Sequence, residues 1–136
     1  MADCIFCKII KGDIPCSKIY EDEHVLSFLD INPINPGHCL VVPKNHYVTL
    51  LDIPPGELQA CITACQKIAK AVYRSVDAPG FNLLQNNFRE AGQLVDHLHF
   101  HLIPRLKGDG FLTPWRAKSY SAGEMEKVLE KIKAEI

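Results

Sequence analysis

The chain has 136 residues, 47% hydrophobic and 23% charged, with a formal net charge of −1. That length fits one domain, residues 1–136, able to bury its own core, and the balanced charge excludes a basic nucleic-acid field or an acidic tail. No apolar run reaches the roughly 18–20 residues of a membrane helix, and the start Met1-Ala2-Asp3-Cys4 lacks the regions of a secretory signal, so a cytoplasmic protein without membrane or nucleic-acid partners is expected.

A short element over Ile5–Ile10 runs to a turn at Lys11-Gly12-Asp13-Ile14-Pro15. Two strand-like runs follow, Ser17–Tyr20 and His24–Leu29, with a hairpin turn at Glu21-Asp22-Glu23. Asn32-Pro33-Ile34-Asn35-Pro36-Gly37 is a dense turn signal, and Cys39–Val42 reads as a buried strand closed by Pro43. Leu58, Cys61, Ile62, Cys65, Ile68, Ala69, Val72 and Val76 recur at helical spacing, which predicts a long helix over Glu57–Val76. Phe81–Asn86 reads as a strand, 87–93 as a loop, and Leu94–Arg105 as a second, longer strand; Ser121–Ile136 has the pattern of a charged amphipathic helix. Strands joined by short connections cannot make parallel crossovers, so the expected class is α+β with an antiparallel sheet.

Of the six cysteines, Cys61 and Cys65 fall on the apolar helical face and read as core thiols. Cys16 and Cys39 are isolated, and Cys4 and Cys7 form a C-x2-C pair. In a reducing compartment such cysteines serve as ligands, nucleophiles or core residues rather than as a disulfide framework.

The histidines carry the functional information. His97, His99 and His101 alternate with Leu98, Phe100 and Leu102. On a strand this period places the three imidazoles on one face and the apolar residues on the other. A cluster of titratable rings suits two tasks, holding a metal or acting as nucleophile and acid–base near neutral pH. There is no G-x-G-x-x-G and no G-x4-G-K-[ST], so the Rossmann and P-loop ways of holding a nucleotide are excluded.

The run His97-Leu98-His99-Phe100-His101-Leu102-Ile103 resembles the H-φ-H-φ-H-φ-φ signature of the histidine triad superfamily. Asn86, eleven residues before His97, and Ala91-Gly92-Gln93 are similar to that family's approach to the triad. So are Ile5-Phe6-Cys7-Lys8-Ile9-Ile10, Phe28-Leu29-Asp30-Ile31-Asn32-Pro33, His38, and Val41-Val42-Pro43-Lys44-Asn45-His46. The resemblance covers roughly residues 3–110, leaves 111–136 as a tail, and is nearest to the Hint branch with its bacterial-type cysteines.

The resemblance implies a five-stranded antiparallel sheet with one long helix and a C-terminal helix. It also implies a hydrolase or transferase acting on the α-phosphate of purine nucleotides through a nucleotidyl-histidine, releasing AMP from phosphoramidate-type substrates. His99 would be the nucleophile. His101 would bind the phosphate and protonate the leaving group, and His38 would orient the triad. Asp30 would accept the ribose hydroxyls, Asn86 and Gln93 would offer amides to the phosphate, and Phe6 and Ile9 would sandwich the base. Relatives that bind zinc imply a structural ion on Cys4, Cys7, His46 and His97, four N/S donors that close a tetrahedron. A homodimer through the long helix and the strand near Phe81–Asn86 is implied as well. Leu94 departs from the pattern, which has Ser or Thr there. The other readings are a dinucleoside polyphosphate hydrolase of the Fhit-like kind and a nucleotide-binding interaction protein with weak hydrolysis. For Trp115, in the tail, a role at the partner's site and a plain exposed or anchoring residue both stand.

Overall fold

The computed structural model describes residues 3–112 and 115–136. Helix α1 spans Ile5–Lys11 and ends at Gly12, whose φ of 87° suits the left-handed cap. Strands β1 (Lys18–Glu21) and β2 (Val25–Leu29) pair antiparallel. Asp22 makes their turn: its Oδ1 accepts from the amides of His24 and Val25, at 2.8 and 2.9 Å. Strand β3 (Cys39–Pro43), helix α2 (Pro55–Ser75), strands β4 (Gly80–Gln85) and β5 (Phe100–Arg105), and helix α3 (Glu124–Ala134) complete the order. The five strands form one antiparallel sheet in the order β1-β2-β3-β5-β4. This is the α+β architecture expected from the sequence.

Period-two alternation splits the sheet's side chains between two cores. Val25, Cys39, Val41, Phe100 and Leu102 pack with Cys61, Cys65, Ile68 and Val72 of α2. Leu26, Phe28, Leu40 and Val42 point the other way and pack with Phe6 of α1. Covered on both faces, β2 and β3 read as near-continuous apolar runs. Burial in the α2 core pushes the Cys61 and Cys65 thiols up to about 12, so they are inert core groups, as the helical spacing implied.

The expected strand over Leu94–Arg105 is corrected: regular pairing begins at Phe100. The preceding residues spend their bonds elsewhere. The Gln93 side chain donates to Val48 O and Val95 O (2.6 and 3.1 Å), the Leu98 amide donates to Tyr47 O (2.6 Å), and the His97 carbonyl accepts from the His99 ring (2.7 Å). Side-chain bonds and one main-chain bond to Tyr47 thus replace the ladder. The tail helix is shorter than expected, Glu124–Ala134, with no buried residue.

Candidate active site and metal centre

The face of the sheet beneath α1 carries a pocket of about 450 Å³. Its apolar end is lined by Phe6, Ile9, Ile14 and Phe28; its polar end by Asp30, His38, His99 and His101. Phe6 sits edge-on to His99, with ring centroids 5.1 Å apart, and also packs on Phe28 and His97. It belongs to the pocket wall and to the core at once.

Main-chain atoms fix the protonation of His99 and His38, and His38 fixes that of His101. His99 Nδ1 lies 2.7 Å from the carbonyl of His97. A carbonyl only accepts, so the proton is on Nδ1 and Nε2 keeps its lone pair. The Ile34 amide donates to His38 Nδ1 at 3.0 Å. His38 therefore carries its proton on Nε2 and donates it to His101 Nδ1, also at 3.0 Å. His101 in turn holds its own proton on Nε2. Burial lowers the pKa of all three rings, that of His101 to about 4, so they are neutral near pH 7.

Asp30 Oδ1 caps the following turn through the Asn32 amide at 2.8 Å, while Oδ2 lies 3.5 Å from His38 Nε2. One carboxylate oxygen is thus committed to the loop, and the residue still lines the pocket. Asp30, His38 and His101 also lie close enough to hold an ion. A metal on His38 Nε2 would require a proton on Nδ1, against the Ile34 N–H, so this trio is a hydrogen-bonded relay.

Two expected site residues stand elsewhere. Gln93 is 1% exposed and spends its amide on the main chain: Oε1 accepts from the Phe88 amide at 2.8 Å, and Nε2 serves Val48 and Val95. It braces the loop before the triad and does not line the pocket. Asn86 is half-buried beside Gly92, and a methyl on Gly92 would lie 3.5 Å from its Nδ2. That places it behind the pocket rim. Leu94 is 75% exposed and lines the pocket.

The second cluster lies directly behind the triad. Helix α1 sets Cys4 and Cys7 one turn apart, and the Cys7 amide donates to Cys4 Sγ at 3.4 Å. His97 Nε2–H donates to Pro43 O at 2.8 Å, leaving the Nδ1 lone pair free. That Nδ1 lies 3.3 Å from Cys4 Sγ, 3.6 Å from Cys7 Sγ and 3.2 Å from His46 Nδ1. Cys7 Sγ lies 3.4 Å from His46 Nδ1. Tetrahedral bonds of zinc to sulfur and nitrogen put ligand atoms roughly 3.3–3.8 Å apart. The four donors fit a metal ion, and all lie within 4.8 Å of one another. Sequence reasoning missed the carbonyls of Pro43 and His97, which orient the rings, and the Ile34 amide. Main-chain partners leave no mark in side-chain spacing.

The HIT domain model matches residues 11–108, and the chain belongs to this family. It is 41% identical over 140 aligned positions to an adenosine 5′-monophosphoramidase of Candida albicans, covering 99% of this chain and 92% of that one. A crystal structure of a HIT family member from Bacillus subtilis superposes with a TM-score of 0.91 at 42% identity, covering 98% and 97% of the two chains. A zinc-bound histidine triad family protein from Mycobacterium smegmatis gives a TM-score of 0.76 at 34% identity, over 99% of each.

Proposed function

We propose that the protein is a nucleotide hydrolase of the phosphoramidase type, one domain over residues 1–136, that releases AMP from adenosine phosphoramidate-type substrates. The observation that carries this reading is the His99 ring, its Nδ1–H held by the His97 carbonyl and its Nε2 lone pair free in a pocket whose far end is apolar. The name of the Candida relative agrees with it.

In the first step His99 Nε2 bonds to phosphorus as the P–N bond breaks. The departing amine takes the Nε2 proton of His101, and in the second step water cleaves the nucleotidyl-histidine and restores that proton. Hydrogen bonds rather than covalent chemistry at the phosphate oxygens carry the stabilisation. Asp30 binds the ribose, Phe6 and Ile9 flank the purine, Gln93 acts by holding the loop, and Asn86 stands behind the rim beside Gly92. Among the described residues no Lys or Arg lines the pocket. A single phosphate suits such a wall better than a polyphosphate chain does, which favours phosphoramidates over dinucleoside polyphosphates.

Zinc is the metal proposed for Cys4, Cys7, His46 and His97. It closes its shell with these four donors and so supplies structure, tying α1 to the triad segment. A homodimer is proposed through the outer face of α2 and the edge strand β4, where Ile62, Tyr73, Phe81 and Leu83 stand exposed. Sedimentation should give twice the chain mass, and substituting Phe81 and Leu83 by Ser should shift it to the monomer.

The deciding experiment is AMP release from adenosine 5′-phosphoramidate by the native chain and by His99→Ala. Release by the first alone supports the reading. No release by the native chain overturns it, and a dinucleoside polyphosphate becomes the next substrate.

A further inference from the structure

The loop between β2 and β3 does more than cross from one strand to the next. Its Ile34 amide sets the proton on His38, which sets the proton on His101. The relay requires that loop to keep its place relative to β5, the strand that carries His101. The pairing of β3 with β5 begins only at Cys39, and upstream of it the Asn35 side chain ties the loop to β5. Asn35 Nδ2 donates to Pro104 O on β5 and to Asp109 Oδ2, both at 2.9 Å. The Asn35 carbonyl accepts from the His38 amide at 3.0 Å.

Asp109 is itself immobilised. Arg105 Nε donates to it at 2.8 Å, Arg105 Nη2 donates to its other oxygen, and the Leu106 amide adds a bond at 3.0 Å. Arg105 Nη1 is tied to Asn82 on β4 at 2.7 Å. The guanidinium beside it holds the Asp109 carboxyl well below the usual carboxylate range, so the acceptor is an anion whenever the protein is folded near neutral pH.

We propose that Asn35 is a positioning residue for the histidine pair: by tying the 34–38 loop to Pro104 and Asp109, it keeps the Ile34 amide on His38 and hence the proton of His101 on Nε2. This rests on the proposed activity for its catalytic consequence, though not for its geometric one. Without the tie, the Ile34 amide no longer blocks a proton on His38 Nδ1. His38 then samples both tautomers, and His101 Nδ1 loses its fixed donor. A fraction of the molecules would present a His101 without the Nε2 proton that the leaving group needs.

The test compares the native chain with Asn35→Ala and Asn35→Asp. Asparagine to aspartate keeps the volume but removes the donor and faces Asp109 with a like charge. Two-bond proton–nitrogen NMR should give His38 and His101 of the native chain as single Nε2–H tautomers. Both variants should show averaged nitrogen shifts in these rings while His99 keeps its Nδ1–H signature. With adenosine 5′-phosphoramidate, kcat should fall about five- to tenfold, the size of one lost hydrogen bond, with KM within about twofold. Single tautomers and native kcat in a folded variant would overturn the proposal. So would an effect confined to the alanine, which would indicate packing alone. If the native chain releases no AMP, the proposed activity fails, and the relay is judged on its nitrogen shifts.

Discussion

His99 owes its readiness to a carbonyl two residues earlier in the chain. Its ring needs no protonated neighbour and no metal to expose a lone pair, so removing the ring should remove the chemistry and little else. His99→Ala is expected to lower kcat for AMP release about 10³-fold or more while the far-UV spectrum stays native. Rapid-quench assays with radiolabelled substrate would check both the loss and the missing covalent adduct. Gly37 is a residue of the opposite kind, prescribed by backbone and space. Its φ is 92°, and an added methyl would lie 2.8 Å from Val76 Cγ2 and 3.2 Å from Pro104 Cγ. Gly37→Ala should cost about 1–3 kcal/mol, read as a lower urea midpoint, because both the backbone and the contacts with Val76 and Pro104 resist it.

Helix α1 is seven residues long, too short to persist by itself. Phe6 packing holds it on the sheet, and an ion on Cys4, Cys7, His46 and His97 would add a second tie. Chelation, or Cys4→Ser with Cys7→Ser, should therefore speed amide exchange over residues 6–10 and lower the thermal midpoint. AMP release should decline in step with that loosening. Loss of activity from a protein whose α1 exchange is unchanged would contradict a structural role for the metal. The same elements show what a sequence can and cannot disclose. Helix α2 is legible because one buried face imposes a helical period on its apolar residues, and strands β2 and β3 because burial on both faces makes them short apolar runs between turn residues. The start of β5 is not, since His97-Leu98-His99 alternates like a strand while its bonds run to Tyr47 and to side chains. The roles of Gln93 and Asn35 are equally hidden. Their partners, Val48 O and Asp109, lie 45 and 74 residues away in the chain, and no local pattern encodes that meeting.

Across the whole molecule, the buried rings link folding to pH. Burial holds His101 at about 4 and lowers His38 as well, against about 6.5 in an unfolded chain. Between those values the unfolded chain binds protons that the folded protein refuses. The stability these rings contribute is therefore complete above pH 6.5 and is lost as pH falls towards 4. Urea midpoints measured from pH 7.5 to 4.5 should decline across this window, and His101→Gln should flatten the decline. The described helices include none long and apolar enough to cross a membrane, and Trp115 in the tail is 81% exposed, so its fluorescence would report the tail rather than the core.

The neutral pocket wall has a consequence for how the protein meets its surroundings. With rings that stay uncharged and, among the described residues, with no Lys or Arg in the lining, the wall itself draws in an anion by no long-range force. Recognition begins at contact, through shape and directed N–H groups. Turnover should accordingly be nearly indifferent to ionic strength, where a site built on lysines would slow steeply as salt rises.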